Sequence, residues 1–206
     1  MRRQRRRHPA QWPAVTSSEL WSCATADPYD AHEAGTPTVD AGVTRAGWTL
    51  RPAVPADIEV IAELRATVMR ADLERLGRYD EHLVRQRLRD SFSPRYTSII
   101  TVDRELAGCV TVRPAEGRQW LEHFYLAPHR QGQGLGSALL RTVLEHTDAQ
   151  DMTVGLNVLQ GSAARRLYER HGFVVEAQDP IDVFMVRPPG GRGLGQTPTN
   201  DAHVAI

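Results

Sequence analysis

The sequence predicts an α/β protein, in which one mixed, twisted β-sheet carries helices on both faces. Two observations lead to this fold class. Between residues 48 and 187, short β-branched or aromatic runs alternate with amphipathic helical runs. The order is strand, two helices, three strands, helix, strand, helix and one or two closing strands, as in a mixed sheet.

Composition divides the 206 residues into three segments. Residues 1–47 and 188–206 are rich in Pro, Gly, Ala, Ser and Thr and sustain no apolar periodicity. We therefore expect a disordered, Arg-rich extension over 1–47, one folded domain over 48–187 and a disordered tail over 188–206.

The N-terminal half of the domain is predicted to hold a strand, two helices and a hairpin. The run at 48–53 predicts a strand that Pro52 breaks. Apolar stripes predict the two helices, and Pro94 helps to end the second. Two β-branched runs around residues 103–105 predict a hairpin. The stripes consist of Ile58, Ile61, Ala62 and Val68, and of Val84, Leu88 and Phe92.

The C-terminal half is predicted to alternate strands and helices. Gly172 is suitably placed to end the last helix with a left-handed residue. The predicted elements are strands at 120–126 and 152–159, helices at 135–146 and 162–173, and closing strands at 174–177 and 182–186.

Composition also excludes several kinds of chemistry. All 25 Lys and Arg residues are arginine, which excludes a P-loop and a Schiff-base lysine. Cys23 and Cys109 are too few and too far apart for a disulfide scaffold or a cysteine-based zinc site, and we expect no bound metal. No apolar run reaches the ~18 residues of a membrane span. We expect a cytoplasmic protein.

The arginine-rich start has two interpretations. Arg2, Arg3 and Arg5 to Arg7 resemble a basic arm that binds nucleic acid or an anionic surface. We favour a solvated tail, because acidic residues such as Glu19 and Asp27 follow and no apolar signal-peptide core is present.

The glycine-rich segment His129–Leu140, HRQGQGLGSALL, is the most informative motif. It follows a predicted strand and opens an apolar helix. A helix N-terminus leaves backbone N–H groups unpaired, and glycines let a phosphate approach them. The similar GRGLG at Gly191–Gly195 has neither a strand before it nor a helix after it. The first segment predicts a pyrophosphate site. The alternative is a tight turn with close packing only.

Two motifs together resemble the GCN5-related N-acetyltransferase (GNAT) family. Gln131-x-x-Gly134-x-Gly136 is similar to the family's motif A, and Ala164–Phe173, ARRLYERHGF, is similar to its motif B. The resemblance covers residues 48–187. It implies a GNAT-like fold and acetyl-CoA as co-substrate. The implied cofactor-binding residues are Tyr125, Leu126 and Ala127 by their backbone, Gln131, Gly132, Gln133, Gly134, Leu135, Gly136 and Ser137 at the pyrophosphate, and Ser162 and Ala164 beside motif B.

The resemblance also implies catalytic roles for two residues. Tyr168 matches the motif-B tyrosine, which the family places near the sulfur as general acid; the alternative is an aromatic in the core. Glu122 is a candidate general base, with His123 as its rival. Strand alternation predicts that Glu122 shares a face with Phe124 and Leu126, which would partly desolvate it. Its alternative is a surface charge.

We therefore expect an N-acetyltransferase that transfers an acetyl group directly from acetyl-CoA to a primary amine. The buried environment expected for Cys109 argues against a covalent acetyl-cysteine route. Mixed charge over 70–86, on the acceptor side, identifies no particular amine. Alternatives are a non-catalytic acyl-CoA-binding or regulatory domain, a nucleic-acid-binding protein acting through the arginine arm, and a Rossmann oxidoreductase. We expect neither nucleic acid nor membrane as a partner, and leave homodimerisation open.

Overall fold

The protein is described from a computed structural model, which describes residues 44–45, 47–115 and 117–191. The predicted arginine-rich arm and most of the predicted C-terminal tail, with the glycines after Gly191, lie outside the described residues. None of the helices in the described segments is long and apolar enough to cross a membrane.

Eight strands in the described segments form one sheet, in the order β1-β2-β3-β4-β5-β6-β8-β7. Neighbouring strands are antiparallel except β5 and β6, which are parallel. The sheet is therefore mixed, as predicted. The strands are β1 (Thr44–Arg45), β2 (Trp48–Pro52), β3 (Thr97–Val102), β4 (Glu105–Ala115), β5 (Arg118–Leu126), β6 (Val154–Leu159), β7 (Val174–Gln178) and β8 (Asp182–Arg187).

In the described segments, α-helices α1 to α4 cover the two faces of this sheet, which confirms the predicted fold class. On one face, α3 and α4 pack on a large apolar cluster that includes Ile100 and Val110. On the other, α1 and α2 pack on Ile99 and Cys109. Adjacent strand residues therefore serve opposite cores. The helices are α1 (Ile58–Arg75), α2 (Glu81–Ser91), α3 (Leu135–Ala149) and α4 (Ala164–Arg170).

Local signals fix several element ends. The Asp80 carboxylate accepts hydrogen bonds from the backbone N–H groups of His82 and Leu83, at 3.0 and 2.8 Å, and so begins α2. Gly172, with φ +86°, follows α4 in the predicted left-handed conformation. Asp103 and Arg104, both with positive φ, form the tight turn between β3 and β4.

Two details differ from the sequence prediction. Thr44–Arg45 pair with Trp48–Thr49 and so join the sheet before the predicted start of the domain at residue 48. The buried face of α1 also differs from its predicted stripe. Ile58 and Val68 are half-buried, whereas the charged Arg65 is only 4% exposed.

The sheet opens between β5 and β6. These strands pair only at Gln119 with Val154 and at Trp120 with Gly155. Beyond that point β5 continues to Leu126 and β6 to Leu159, and no further pairing joins them in this described region. The result is a gap between two parallel strands, next to the loop that leads into α3.

Candidate active site

The glycine loop begins α3 with two residues that require glycine. Gly132 and Gly134 have φ of +72° and +82°, and a Cβ built on either would meet nothing within 4 Å. Gly134 is the residue before the first helical turn of α3. Open space therefore borders the backbone where a helix N-terminus attracts an anion. The structure thus has room for the pyrophosphate that the motif predicts.

The other loop residues hold this conformation. The Gln131 side chain donates to the carbonyl of Leu126 at 2.8 Å, and the Gln133 side chain donates to the carbonyl of His129 at 2.8 Å. The first intrahelical bond of α3 joins Ala138 to the Gly134 carbonyl. The N–H groups of Leu135, Gly136 and Ser137 therefore precede the helical ladder. A cavity of about 310 Å³ beside the loop is lined in part by Gln133, Gly134 and Leu135.

Of the three residues predicted to bind the cofactor through their backbone, Tyr125, Leu126 and Ala127, one directs its backbone groups toward the gap. The N–H of Ala127 donates to the carbonyl of Ala107 at 2.8 Å, so it is engaged with β4. Because successive strand residues point their N–H and C=O groups to opposite edges, those of Leu126 face away from β4, toward the gap. Tyr125 and Ala127 therefore lie at the end of β5 without directing a free N–H group toward the gap.

A β-bulge interrupts β5 at His123. The pairing register shifts between Cys109–Tyr125 and Thr111–Glu122, so two residues of β5 stand opposite one of β4. His123 has φ +48°, the left-handed region that non-glycine residues seldom adopt. The bulge changes which side chains share a face.

The predicted face of Glu122 is therefore wrong. Phe124 and Leu126 pack with the cluster under α3 and α4, whereas Tyr125 packs with the cluster under α1 and α2. Glu122 lies on the α1/α2 side, because its carboxylate accepts from Arg113 Nε of β4 at 2.8 Å. Arginine, and not Phe124, is its neighbour. The side chain of Glu122 is 17% exposed.

His123 lies on the same side as Glu122. Its Nε2 is 3.2 Å from the Ser91 hydroxyl at the end of α2, and its Nδ1 is 3.4 Å from the Thr111 hydroxyl. Burial, then the charges of Arg65 and Arg113, lower the pKa of His123 from 6.5 to about 3. The imidazole is therefore neutral at physiological pH and a weak base.

Tyr168 lies on α4, 7% exposed, in the large cluster beneath that helix. Its ring packs edge-to-face on Phe173, with centroids 5.6 Å apart. Burial, and secondarily the phenol of Tyr125, raise the pKa of Tyr168 above its usual value. Tyr168 therefore packs with the cluster under α3 and α4, and Tyr125 with the cluster under α1 and α2, on opposite faces of the sheet.

Sequence reasoning missed Arg65, which reaches the site from α1. Its Nη1 donates to the Tyr125 hydroxyl at 2.7 Å, and its guanidinium carbon is 5.9 Å from the centre of that ring. Burial raises the pKa of Tyr125 to about 12, so this phenol also stays protonated. The available signal was an arginine one turn after Ile61, on the buried side of an amphipathic helix.

The residues before α4 make hydrogen bonds within the protein. The Ser162 hydroxyl accepts from the N–H of Ala164 at 3.4 Å and so helps to begin α4. Asn157, upstream on β6, donates from Nδ2 to Asp182 at 3.1 Å. Ser162 and Ala164 lie at the start of the helix that carries Tyr168.

Cys109 is fully buried, and its thiol donates to the His123 carbonyl at 3.1 Å. Burial raises the pKa of this thiol to about 12. A thiol held protonated and away from solvent is a poor nucleophile. This environment agrees with direct transfer rather than an acetyl-cysteine intermediate.

Comparison with known proteins identifies the family. The acetyltransferase (GNAT) domain matches residues 94–175. The PaiA N-acetyltransferase from Thermoplasma acidophilum, in complex with coenzyme A, aligns over 68% of this chain and 98% of its own, with TM-score 0.57 and 20% identity. The ribosomal-protein-S18-alanine N-acetyltransferase from Escherichia coli aligns over 73% and 99%, with TM-score 0.52 and 20% identity. At these identities the structures show the fold alone.

One curated relative adds sequence similarity over a shorter stretch. A probable spermine N(1)-acetyltransferase from Bacillus subtilis subsp. natto is 35% identical over 60 residues, which are 28% of this chain and 40% of that protein. Residues 94–175 of the chain are thus an acetyltransferase domain of the GCN5-related N-acetyltransferases, a family of acyl-CoA-dependent enzymes whose co-substrate is acetyl-CoA. This confirms the resemblance that motifs A and B carry.

Proposed function

We propose that this protein transfers the acetyl group of acetyl-CoA directly to a primary amine in the gap between β5 and β6. The observation that carries the proposal is the glycine loop, with open space at Gly132 and Gly134, next to the end of β5 that no longer pairs with β6. The loop residues 131–137 would hold the pyrophosphate, and the backbone of Leu126 would hold the pantetheine arm as a neighbouring strand does.

Tyr168 is the general acid in this proposal. The amine nitrogen forms a bond to the thioester carbonyl carbon, the carbon–sulfur bond breaks, and the departing thiolate takes the Tyr168 proton. The proton that the nitrogen loses on becoming an amide then returns, directly or through water, to the Tyr168 phenolate. A phenol already carries its proton at neutral pH, as a general acid must. Burial raises the pKa of Tyr168 further, so the proton is released only to the strongly basic thiolate that forms as the carbon–sulfur bond breaks.

Glu122 is the proposed general base, acting on the ammonium proton directly or through a water molecule. Its carboxylate lies on the α1/α2 side, next to His123, and the Arg113 guanidinium fixes its position. The rival base His123 is less suited, because a pKa of about 3 leaves it little affinity for a proton at neutral pH.

The experiment pairs CoA binding with turnover. Tyr168→Phe is expected to bind CoA as the wild type does, by calorimetry, while kcat for acetyl transfer falls ~100-fold or more. Tyr96→Phe, which removes a hydroxyl from a half-buried tyrosine before β3, is the matched control and should change neither. Equal kcat in the wild type and Tyr168→Phe would remove the proposed acid.

The alternative of a non-catalytic acyl-CoA-binding domain makes a different prediction. Such a protein would bind CoA and turn over no amine, and Tyr168→Phe would then have no kinetic effect. The tyrosine at the motif-B position, Tyr168, favours the enzyme. A cytoplasmic location and a homodimer stay predictions.

A further inference from the structure

One helix, α1, contacts both strands that border the gap. On β5, the Tyr125 hydroxyl accepts a hydrogen bond from Arg65 Nη1 at 2.7 Å. Farther along the helix, Ala66 and Leu73 pack in one buried cluster with Leu159, the last residue of β6. On the α1/α2 side of the sheet, α1 therefore bridges β5 and β6 beyond the point where the two strands stop pairing.

The C-terminal end of α1 holds the turn that follows β6. Arg75 is the last residue of α1, and its Nη2 donates to the Gln160 carbonyl at 2.6 Å. The same nitrogen donates to the Asp72 carboxylate, three residues earlier on the helix, at 2.8 Å. Because a guanidinium presents its N–H donors in a fixed plane, the bond to Asp72 also orients the group that binds Gln160.

Gly161 lies directly against this guanidinium. Its φ is +74°, and a Cβ built there would lie 2.8 Å from Arg75 Nη1. That distance is too short for a Cβ contact, so a side chain at residue 161 would push the guanidinium aside. Glycine at this position therefore permits the contact with Arg75 as well as the left-handed backbone.

The turn that Arg75 contacts leads directly into α4. Within the turn, the Ser162 N–H donates to the Leu159 carbonyl at 3.0 Å, and the Ser162 hydroxyl accepts from the N–H of Ala164 at 3.4 Å. The helix begins at Ala164, and Tyr168 lies four residues later, about one helical turn on. A displacement of the turn would therefore move the helix that carries Tyr168.

A second anchor reaches the same turn from the β7–β8 edge of the sheet. The N–H of Gln160 donates to the Ile181 carbonyl at 2.7 Å, and its side-chain Nε2 donates to the Asp179 carbonyl at 2.9 Å. Both carbonyls belong to the connection between β7 and β8. Loss of the Arg75 contact would leave this anchor in place, so the turn should shift rather than unfold.

Given acetyl transfer with Tyr168 as the general acid, on which this step rests, we propose that Arg75 is a positioning residue for that acid. Through Gln160, Arg75 fixes the start of α4 and so the place of the Tyr168 phenol relative to the thioester sulfur. Because α1 also binds β5 through Arg65, the same helix fixes the distance between β5 and the start of α4. Arg75 itself contacts neither acetyl-CoA nor the amine.

The test measures kcat and KM for Arg75→Met, which keeps a long side chain and removes its donors. A displacement of ~1 Å can lower a rate ~100-fold. Because the second anchor remains, we expect kcat to fall ~10-fold, with the Kd for CoA and the KM for the amine within about 2-fold of the wild type. The amine is the member with the highest kcat/KM in a panel of spermine, glucosamine and a short peptide with a free N-terminus.

Two further variants separate positioning from a general loss of structure. Arg75→Lys retains a donor and should recover part of the lost kcat. Arg89→Met removes a guanidinium that joins α2 to Glu59 of α1 at 2.8 Å. This variant is the matched control and should leave kcat, KM and the Kd for CoA unchanged. A fall in kcat in Arg89→Met equal to that in Arg75→Met would contradict a specific role for Arg75.

A double-mutant cycle with Tyr168→Phe determines whether Arg75 acts through the phenol. We expect Arg75→Met to lower kcat ~10-fold in the wild type and to leave the residual kcat of Tyr168→Phe nearly unchanged, because no acid remains to be positioned. Equal losses in the two backgrounds would overturn the proposal, since Arg75 would then act independently of the acid.

Gly161→Ala reaches the same contact from the opposite partner. The new Cβ displaces the Arg75 guanidinium, so kcat should fall about as far as in Arg75→Met. In the double variant the guanidinium is already absent, and the two losses should not add. An unchanged kcat in Gly161→Ala, or additive losses, would count against the proposal.

The outcomes distinguish this inference from the proposed function. A loss of kcat in Tyr168→Phe but not in Arg75→Met would overturn the inference and uphold Tyr168 as the acid. A loss in Arg75→Met but not in Tyr168→Phe would overturn both assignments while leaving acetyl transfer intact. CoA binding without turnover of any amine in the panel would overturn the proposed function and, with it, the role of Arg75.

Discussion

The two faces of the sheet meet the β5–β6 gap with opposite chemistry. On the α3/α4 face, Leu126 at the end of β5, Leu135 after the glycine loop and Tyr168 of α4 belong to one apolar cluster. On the α1/α2 face, the gap is bordered by arginines, a carboxylate and a neutral imidazole. The first face suits the acetyl donor and its pyrophosphate. The second suits the amine and its protons.

The faces also differ in how the chain builds them. The glycine loop and the start of α3 are one continuous segment, residues 131–137, whose conformation depends on local φ values and a helix N-terminus. We call the α3/α4 side the donor face and the α1/α2 side the acceptor face. The acceptor face joins Arg65, Ser91, Arg113 and Glu122, which come from two helices and two strands. A single local substitution should therefore impair CoA binding at the donor face, whereas a change of charge should impair amine acetylation at the acceptor face.

The largest expected effect is a loss of CoA affinity at the donor face. Gly134→Glu places a carboxylate in the helix N-terminal anion site, at a residue with φ +82°. We expect CoA affinity to fall ~1,000-fold, about 4 kcal/mol, because the new charge repels pyrophosphate and the side chain fills its space. Isothermal titration calorimetry measures the change.

Gly117→Glu is the control for backbone strain. Gly117 also has a positive φ, +76°, and nothing within 4 Å of its Cβ position, but it lies in the β4–β5 turn. CoA binding should be unchanged in this variant. Equal loss in both variants would mean that strain, not the anion site, explains the effect.

Next in size is the loss of a proton acceptor on the acceptor face. Glu122→Gln is expected to lower kcat/KM ~100-fold, about 2.7 kcal/mol, because the neutral amide accepts no proton. CoA affinity should be unchanged. Steady-state kinetics and calorimetry report the two quantities.

The matched control is Glu176→Gln, which breaks the comparable Arg118–Glu176 contact of 3.0 Å away from the gap. It should leave kcat/KM within about 2-fold of the wild type, as surface pairs contribute little. If Glu122→Gln behaves in the same way, Glu122 is a structural partner of Arg113 and the base must be sought in bound water.

A third prediction concerns the neutral His123. Its pKa of about 3 in the folded protein lies below its usual 6.5, so between these values the unfolded chain binds more protons. Folding stability must then fall as the pH falls from 6.5. We expect the loss between pH 6.5 and about 5 to be ~2 kcal/mol larger in the wild type than in His123→Asn.

Asn suits this test because it tolerates the left-handed backbone of His123, at φ +48°. Urea denaturation at several pH values gives the free energies of unfolding. His82→Asn, in the exposed first turn of α2, serves as the control with the wild-type slope. Parallel pH slopes in all three proteins would show that His123 titrates normally.

What could be predicted from the sequence follows the same division between the two faces. The fold class, the helix starting after Gly134 and the end of α4 at Gly172 depend on neighbours in the chain, and all were predicted. The face of Glu122 was not, because one extra residue at His123 reverses strand alternation and no composition signal marks it. The burial of Arg65 depends on Tyr125, sixty residues later in the chain.

The smallest expected effect sharpens the comparison within the donor face itself. The three alternating glycines are not equivalent. A Cβ on Gly136 would lie 3.4 Å from Leu126 Cδ1 and 3.5 Å from Leu167 Cδ2, close to ordinary contact, and its φ is not positive. Gly136→Ala should therefore change the free energy of unfolding by less than about 1 kcal/mol, with a gain from helix propensity.

Gly134→Ala is the comparison that decides this point. An alanine there must adopt a left-handed backbone, which costs about 1–2 kcal/mol. Urea midpoints should therefore rank Gly136→Ala at or above the wild type and Gly134→Ala below it. The reverse order would mean that close packing against Leu126 and Leu167, rather than backbone conformation, explains the glycine repeat. The glycines would then be required mainly for a tight connection, and only to a lesser extent for an anion site.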